Sequence, residues 1–305
     1  MEIAAPESDV WSNWLLQRRH GGDGCYQAAL RKLVERYADK VLDGAALAPG
    51  MRMLDLGSGE GLVPFKALAR FDGALTVTLT DVSLPMLRYA EEQAKALGWW
   101  AQCAFLPCPA TDLQPLEDAR FDAVTSRAVL AYVADKLVAL RECYRVLKPG
   151  GRLSLAEPIF QDEALVACAL RKLVSDPAAP PEDRFLPLLH RWKAALFPDT
   201  EAALRANPLT NYTERDLLQL VQAAGFAQPH LELHIDIAPA GLPSWEAFLD
   251  SAPHPLTPTH GTVLAERFSL DERAFFEQIL RPSIESGQFQ SSERIAYLTA
   301  IKPGL

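Results

Sequence analysis

The sequence is poor in the residues that build staples, metal sites and polyanion tracks. Among 305 residues there are five cysteines, Cys25, Cys103, Cys108, Cys143 and Cys168. Their number is odd, their spacing irregular, and no CxxC pair occurs, so neither a disulfide framework nor a zinc site is expected. Reduced thiols point to a cytoplasmic protein. The longest basic cluster is Arg18-Arg19-His20, and the formal net charge is -9. No nucleic-acid partner is expected from that balance. No apolar run approaches the roughly 20 residues that span a bilayer, so no membrane partner is expected. The opening MEIAAPESDV lacks the charged-then-apolar pattern of a secretory leader. The six histidines are scattered, at 20, 190, 230, 234, 254 and 260, and suggest no metal centre. Nothing in the sequence fixes an oligomeric state.

What is present reads as an ordinary soluble globular chain, with 49% hydrophobic and 23% charged residues. The length suits one large domain, or one domain with an insertion. Residues 8–48 read as helical: Trp11, Trp14 and Leu15 share a face, and Leu30, Leu33, Val34, Tyr37 and Val41 repeat at helical period. From Met51 onward strands and helices alternate. Strand-like runs are 51–56, 75–80, 103–106, 121–126 and 152–157. Helices are expected over 62–70, 84–97 and 137–147, with Ser83 as an N-cap of the second. This alternation predicts an α/β fold, a doubly wound and mostly parallel sheet covered on both faces. Such sheets bind ligands beyond the carboxyl ends of their strands.

After Glu157 the rhythm changes. Residues 160–210 are helix-rich, with prolines at 177, 180, 181, 187, 198 and 208. Thr213 to Gly225 reads as a capped helix. Residues 230–237 alternate as a strand with one wet face, and 295–301 reads as a buried strand. The expected organisation is therefore an N-terminal helical cover, 1–48, and a ligand-binding core, 49–159. A helical insertion follows over 160–212. The rest of the core, 213–305, carries a second inserted segment, 239–293.

The chemistry-bearing motif is Asp55-Leu-Gly57-Ser-Gly59-Glu-Gly61, between a strand and a helix. Glycines there let a backbone approach a ligand closely. Asp81 ends the next strand, where an acid accepts hydrogen bonds from two ribose hydroxyls. A dinucleotide fingerprint wants glycine or alanine where Leu62 stands, and the Gly-Lys-Ser/Thr of a phosphate loop is absent. An NAD-dependent oxidoreductase is thereby disfavoured.

The GxGxG loop, preceded two residues earlier by Asp55, resembles the first motif of the class I S-adenosylmethionine-dependent methyltransferases. Asp81-Val-Ser83-Leu-Pro-Met86-Leu87 resembles the second motif of that family. Phe121-Asp122-Ala-Val-Thr-Ser and Leu140-Arg141-Glu142 through Lys148-Pro149-Gly150-Gly151 resemble its fourth strand and the turn before its fifth. The resemblance covers about 50–157, 213–237 and 294–303. It implies a seven-stranded Rossmann-like sheet whose last strand is antiparallel and inserted between the fifth and sixth. It implies S-adenosyl-L-methionine as cofactor. Gly57, Gly59 and Gly61 would pack on its methionine part, Asp55 would meet its amino group, and Asp81 its ribose. Val82 and Met86 would press on adenine, and Ala110 and Thr111 would face the adenine edge. Arg127, at the end of the fourth strand, is unusual for the family and suits a grip on the cofactor's carboxylate or on an anionic substrate. Pro109 stands where the family commonly has an acid.

The acceptor is not legible. Trp11, Trp14 and Arg19 are candidate pocket residues. Tyr132, Glu157 and His254 are candidate catalytic groups, the first two by their place at the sheet's carboxyl edge. The resemblance implies methyl transfer to oxygen, nitrogen or carbon of a small metabolite. The alternative is a regulatory protein that binds S-adenosylmethionine without transferring methyl.

Overall fold

The computed structural model describes residues 8–176 and 183–304. Pro177, Pro180 and Pro181, and the first seven residues of the N-terminal reading, lie outside that range.

The chain opens with a short helix α1 (Val10–Asn13), which runs into a π-helical turn over Trp14–Arg18, and then α2 (Gly24–Ala45). The core alternates as expected: β1 (Arg52–Leu56), α3 (Leu62–Arg70), β2 (Thr76–Asp81), α4 (Leu84–Leu97), β3 (Cys103–Pro107), β4 (Phe121–Arg127), α5 (Lys136–Val146) and β5 (Leu147–Pro158). Ser83 caps α4 by accepting from Met86 N–H, which satisfies one of the helix's free donors. Four helices follow: α6 (Gln161–Val174), α7 (Phe185–Ala194), α8 (Glu201–Ala206) and α9 (Glu214–Ala223). Thr213 and Asp216 form a reciprocal capping box on α9. The chain closes with β6 (Ala227–Pro239), α10 (Trp245–Asp250), α11 (His260–Arg267), α12 (Leu270–Glu285) and β7 (Gln290–Ile301).

The sheet has seven strands in the order β3-β2-β1-β4-β5-β7-β6. Strands β1 to β5 pair in parallel, and β7 runs antiparallel to both β5 and β6. The order reverses beside β1 and β4, which opens the ligand crevice at their carboxyl ends. Period-two alternation sends neighbouring residues to opposite faces. Leu54, Val124 and Leu153 join one apolar cluster with α5, while Met53, Val77 and Leu79 join another with α2, α3 and α4 residues.

Three expectations are corrected. Strands β6 and β7 are longer than 230–237 and 295–301, because the polar run Gln290 to Arg294 pairs with Ile235 through Pro239. Backbone pairing needs no apolar signal, so the sequence pattern misses it. The segment 239–293 therefore ends inside the sheet. Strand β6 does not keep a single wet face: Leu233, Ile235 and Ile237 are 36%, 52% and 69% exposed. The strand also starts earlier than its alternation, at Ala227.

The stretches outside the core pack on one another. Trp14 Nε1 donates to Ala252 O at 2.9 Å, and Arg18 donates to Thr257 O at 2.7 Å. Ala252 N–H returns a bond to Arg18 O at 2.8 Å. Trp192, on α7, donates to His260 Nδ1 at 3.1 Å, and the His260 ring stacks on Phe248. These contacts join the N-terminal helices, the 160–210 helices and the 245–285 helices into one cover. Among the described residues no helix is long and apolar enough to cross a membrane. The five cysteines are unpaired.

Candidate cofactor and acceptor site

The loop after β1 is shaped by backbone demands. Gly57, Gly59 and Gly61 have φ of +56°, +53° and +82°, a region that costs other residues energy. A Cβ on Gly57 would collide with the Val129 side chain, and one on Gly61 with the Phe65 ring. Gly61 is also the residue from which α3 starts. Gly59 differs, because its face looks toward Leu15, with 3.1 Å to a built Cβ. Two of the three glycines thus serve the chain's own packing, and the middle one faces the cover.

Asp81 stands opposite this loop at the end of β2. Its Oδ2 accepts from Gly59 N–H at 2.9 Å and its Oδ1 from Ser83 N–H at 2.8 Å. A carboxylate oxygen with one donor keeps a second lone pair, so both can still accept from a ligand. Burial pushes the Asp81 pKa up against these bonds. Asp55 is 2% exposed and accepts from Thr125 Oγ1 at 2.6 Å. Burial raises its pKa to about 7, with Thr125, Ser58 and Arg127 pulling the other way. Next to it, at the end of β4, the buried Ser126 Oγ has no partner. A buried hydroxyl left unpaired costs energy unless a ligand or water meets it.

Two arginines flank the same space. Arg127 ends β4 and Arg19 follows the π-helical turn. Burial lowers the pKa of both, Arg19 to about 10, and the charge of Arg127 lowers that of Arg19 further. Arg19 lies over the Trp14 ring at 5.4 Å. Arg19 also lines an open cleft of about 280 Å³ with Leu15, Glu60 and Arg31. The expected cofactor fits this set: an orphaned hydroxyl, two buried acids with lone pairs to spare, and two cations at the edge of the space. Val82 is 57% exposed at the strand end, where a flat ring would lie. Ala110 and Thr111 form a turn just beyond β3, tied to β2 by Cys108 N–H donating to Asp81 O at 3.2 Å.

Met86 does not fit its expected role. Its side chain is 1% exposed and packs inside, because the first turn of α4 directs it toward the sheet. It offers no surface to adenine.

The candidate catalytic groups fare differently. Tyr132 sits in an aromatic group, edge-on to Trp11 with centroids 5.2 Å apart and 6.5 Å from the His254 ring. Phe160 and Phe197 lie 5.8 and 5.4 Å from that ring. Burial raises the Tyr132 pKa. Glu157 is completely buried, and its oxygens accept from Val129 N–H at 3.1 Å and Ala131 N–H at 3.2 Å. It closes the turn after β4, where both its oxygens are taken by backbone N–H groups. Burial lowers the His254 pKa to about 4 and keeps the ring neutral. Its Nδ1 accepts from Leu256 N–H at 3.3 Å, which places the ring proton on Nε2. Nε2 is buried without a geometric hydrogen-bond partner, near the Leu196 backbone. It is a donor, not a base.

Arg19 lies over the Trp14 ring, while Trp11 packs against Tyr132. Trp14 is tied by its indole N–H to the cover. The sequence reading gave no site role to Leu15, Thr125 or Phe160. Leu15 follows Trp11 at helical spacing, a pattern that shows a shared face but not what the face meets. Among the described residues no group of three or more metal-ligating side chains forms.

Residues 54–155 match a family model described as a methyltransferase domain. A curated relative from Geotalea daltonii, a ubiquinone/menaquinone biosynthesis C-methyltransferase, is 33% identical over 110 residues, covering 36% of this chain and 46% of the relative. A protein of the same name from a Ruegeria species is 36% identical over 121 residues, covering 40% and 48%. The chain thus spans about half the length of the curated relatives it matches. Among solved structures, the YcgJ protein of Bacillus subtilis superposes with a TM-score of 0.55 at 18% identity, covering 88% of this chain and 99% of that one. That likeness concerns the fold.

Proposed function

We propose that this chain, whose core belongs to the class I S-adenosylmethionine-dependent methyltransferase superfamily, transfers the methyl group of that cofactor to a small-molecule acceptor. The observation that carries the reading is the convergence of Asp55, Gly59, Asp81 and the unpartnered Ser126 Oγ at the carboxyl ends of β1, β2 and β4. When bound, S-adenosylmethionine supplies a methyl group on a sulfonium, ready for in-line displacement.

The chain's own residues then bind, orient and exclude water. Asp81 holds the ribose hydroxyls with its free lone pairs. Val82, Ala110 and Thr111 frame the adenine. Asp55 faces the amino group, and Ser126 the methionine part. The cover, through Leu15 on Gly59, shields this space from solvent. Tyr132 and Trp11 wall the acceptor's side. The His254 ring lies 6.5 Å from that of Tyr132. None of Tyr132, Glu157 and His254 is a free strong base in this arrangement. The site therefore relies on alignment and desolvation, which supply much of the barrier lowering when the nucleophile needs no strong base. The turns before α2 together with α6 to α8 and α10 to α12 form the substrate cover in this reading, while α2 packs on the sheet.

The test is turnover. Full-length chain with S-adenosylmethionine and a broad panel of hydroxy, amino and activated-carbon acceptors should form S-adenosylhomocysteine in an acceptor-dependent manner. Binding of the cofactor with no product across that panel would contradict the reading.

A further inference from the structure

We infer that the methyl acceptor carries an anionic group, a carboxylate or a phosphate, held by whichever of Arg19 and Arg127 does not take the cofactor's own carboxylate. The inference rests on the methyl-transfer reading and names its substrate class.

The first argument is a count of charges. Arg127 lies close enough to Arg19 for its charge to lower the Arg19 pKa, and both arginines feel Tyr132 and Glu60. Neither makes an ion pair or hydrogen bond within the described residues, and both are half-buried, Arg19 on the wall of the open cleft. An unpaired guanidinium held at the edge of a binding space is free to take an anion. The acids nearby do not supply the partner. Glu60 is bound to Arg31 at 3.0 Å. The Glu157 oxygens are taken by backbone N–H groups. Burial drives Asp55 toward its neutral form, and Thr125 donates to it. Glu293, which also feels Arg19, accepts from the Tyr37 hydroxyl.

The second argument concerns what the cofactor can neutralise. S-adenosylmethionine has one carboxylate, and its ammonium and sulfonium leave it net positive. One arginine can pair with that carboxylate. The second stays uncompensated, next to a cofactor of like charge, unless the acceptor brings an anion. An ammonium-bearing acceptor would add a further cation to the same space, which like-charge repulsion disfavours. An anion held by a guanidinium fork is also well oriented, because the fork fixes two oxygens at once. Trp11 and Tyr132, edge to face beside these cations, suit a flat apolar body attached to the anionic end.

The test uses the full chain saturated with S-adenosylhomocysteine, titrated in a calorimeter with 4-hydroxybenzoate, phenyl phosphate and neutral 4-hydroxybenzamide. At least one anion should bind about tenfold or more tighter than the amide, the scale of one charge-assisted pair. The two anions separate carboxylate from phosphate recognition. Of R19Q and R127Q, one should abolish that preference while S-adenosylhomocysteine affinity stays nearly unchanged, and the other should do the reverse. R19K and R127K, which keep the charge, should each recover part of the loss. Equal or absent binding of anions and amide overturns the inference. So does a result in which both glutamine variants weaken only S-adenosylhomocysteine, which would put both arginines on the cofactor. Failure of the unaltered chain to bind S-adenosylhomocysteine is a separate outcome and takes the methyl-transfer reading down with it.

Discussion

The carboxyl edge of the sheet and the cover above it both surround the same space, but they are held by different forces. At the edge, the chain is fixed by its own backbone: positive-φ glycines, acids that accept from N–H groups, and a turn closed by Glu157. In the cover, distant segments meet through single side chains, as where Trp14 reaches Ala252 across 238 positions. The first kind of order joins residues within about thirty positions of one another. The second exists only after the whole chain has folded. A cofactor common to a large superfamily suits the first, and an acceptor that differs between its members suits the second.

That contrast can be broken most severely at Glu157. Glu157→Ala removes the acceptor from buried backbone donors of the turn after β4, and unmet donors cost about 1–3 kcal/mol each. A loss of stability of about 3 kcal/mol or more is expected in urea unfolding, whatever the acceptor. A well-folded, stable E157A that fails only in turnover would return Glu157 to a catalytic role. The glycine loop gives a smaller and sharper comparison. Gly57→Ala meets both a left-handed backbone, about 1–2 kcal/mol, and the Val129 side chain. Gly59→Ala meets the backbone cost and only the flexible end of Leu15. G57A should therefore lose clearly more stability than G59A, while G59A loses cofactor affinity. Equal stability losses would mean that Gly59 too serves internal packing.

The same contrast explains what the sequence could disclose. The strand-helix alternation, the Ser83 and Thr213 caps and the Asp55-to-Gly61 loop are local patterns with local physics, and the structure carries each of them. The inserted antiparallel last strand follows too, since Ala296 to Leu298 is apolar on both faces. The polar half of β7 was illegible because Gln290 to Arg294 pairs through its backbone alone. Met86 was misread because a buried apolar side chain and a cofactor wall look identical in sequence. The surroundings of His254 and Glu157 were not legible because type and position along the chain do not tell which oxygen or nitrogen is already occupied. Leu15 on Gly59, and the unpartnered Ser126, belong to contacts between segments that no period records.

The central claim is that the carboxyl edge of β1, β2 and β4 binds S-adenosylmethionine. The direct measurement is calorimetry of the full chain with S-adenosylmethionine and, side by side, NAD, repeated with Asp81→Asn and across pH 6 to 8. Asp55 is neutral below its raised pKa of about 7 and anionic above it, so pairing with the cofactor's ammonium should tighten binding as pH rises through 7. The account predicts saturable binding of S-adenosylmethionine, none of NAD, tighter binding at pH 8 than at pH 6, and a loss of about tenfold or more in D81N. Tight binding of NAD, or an S-adenosylmethionine affinity indifferent to D81N, would contradict it.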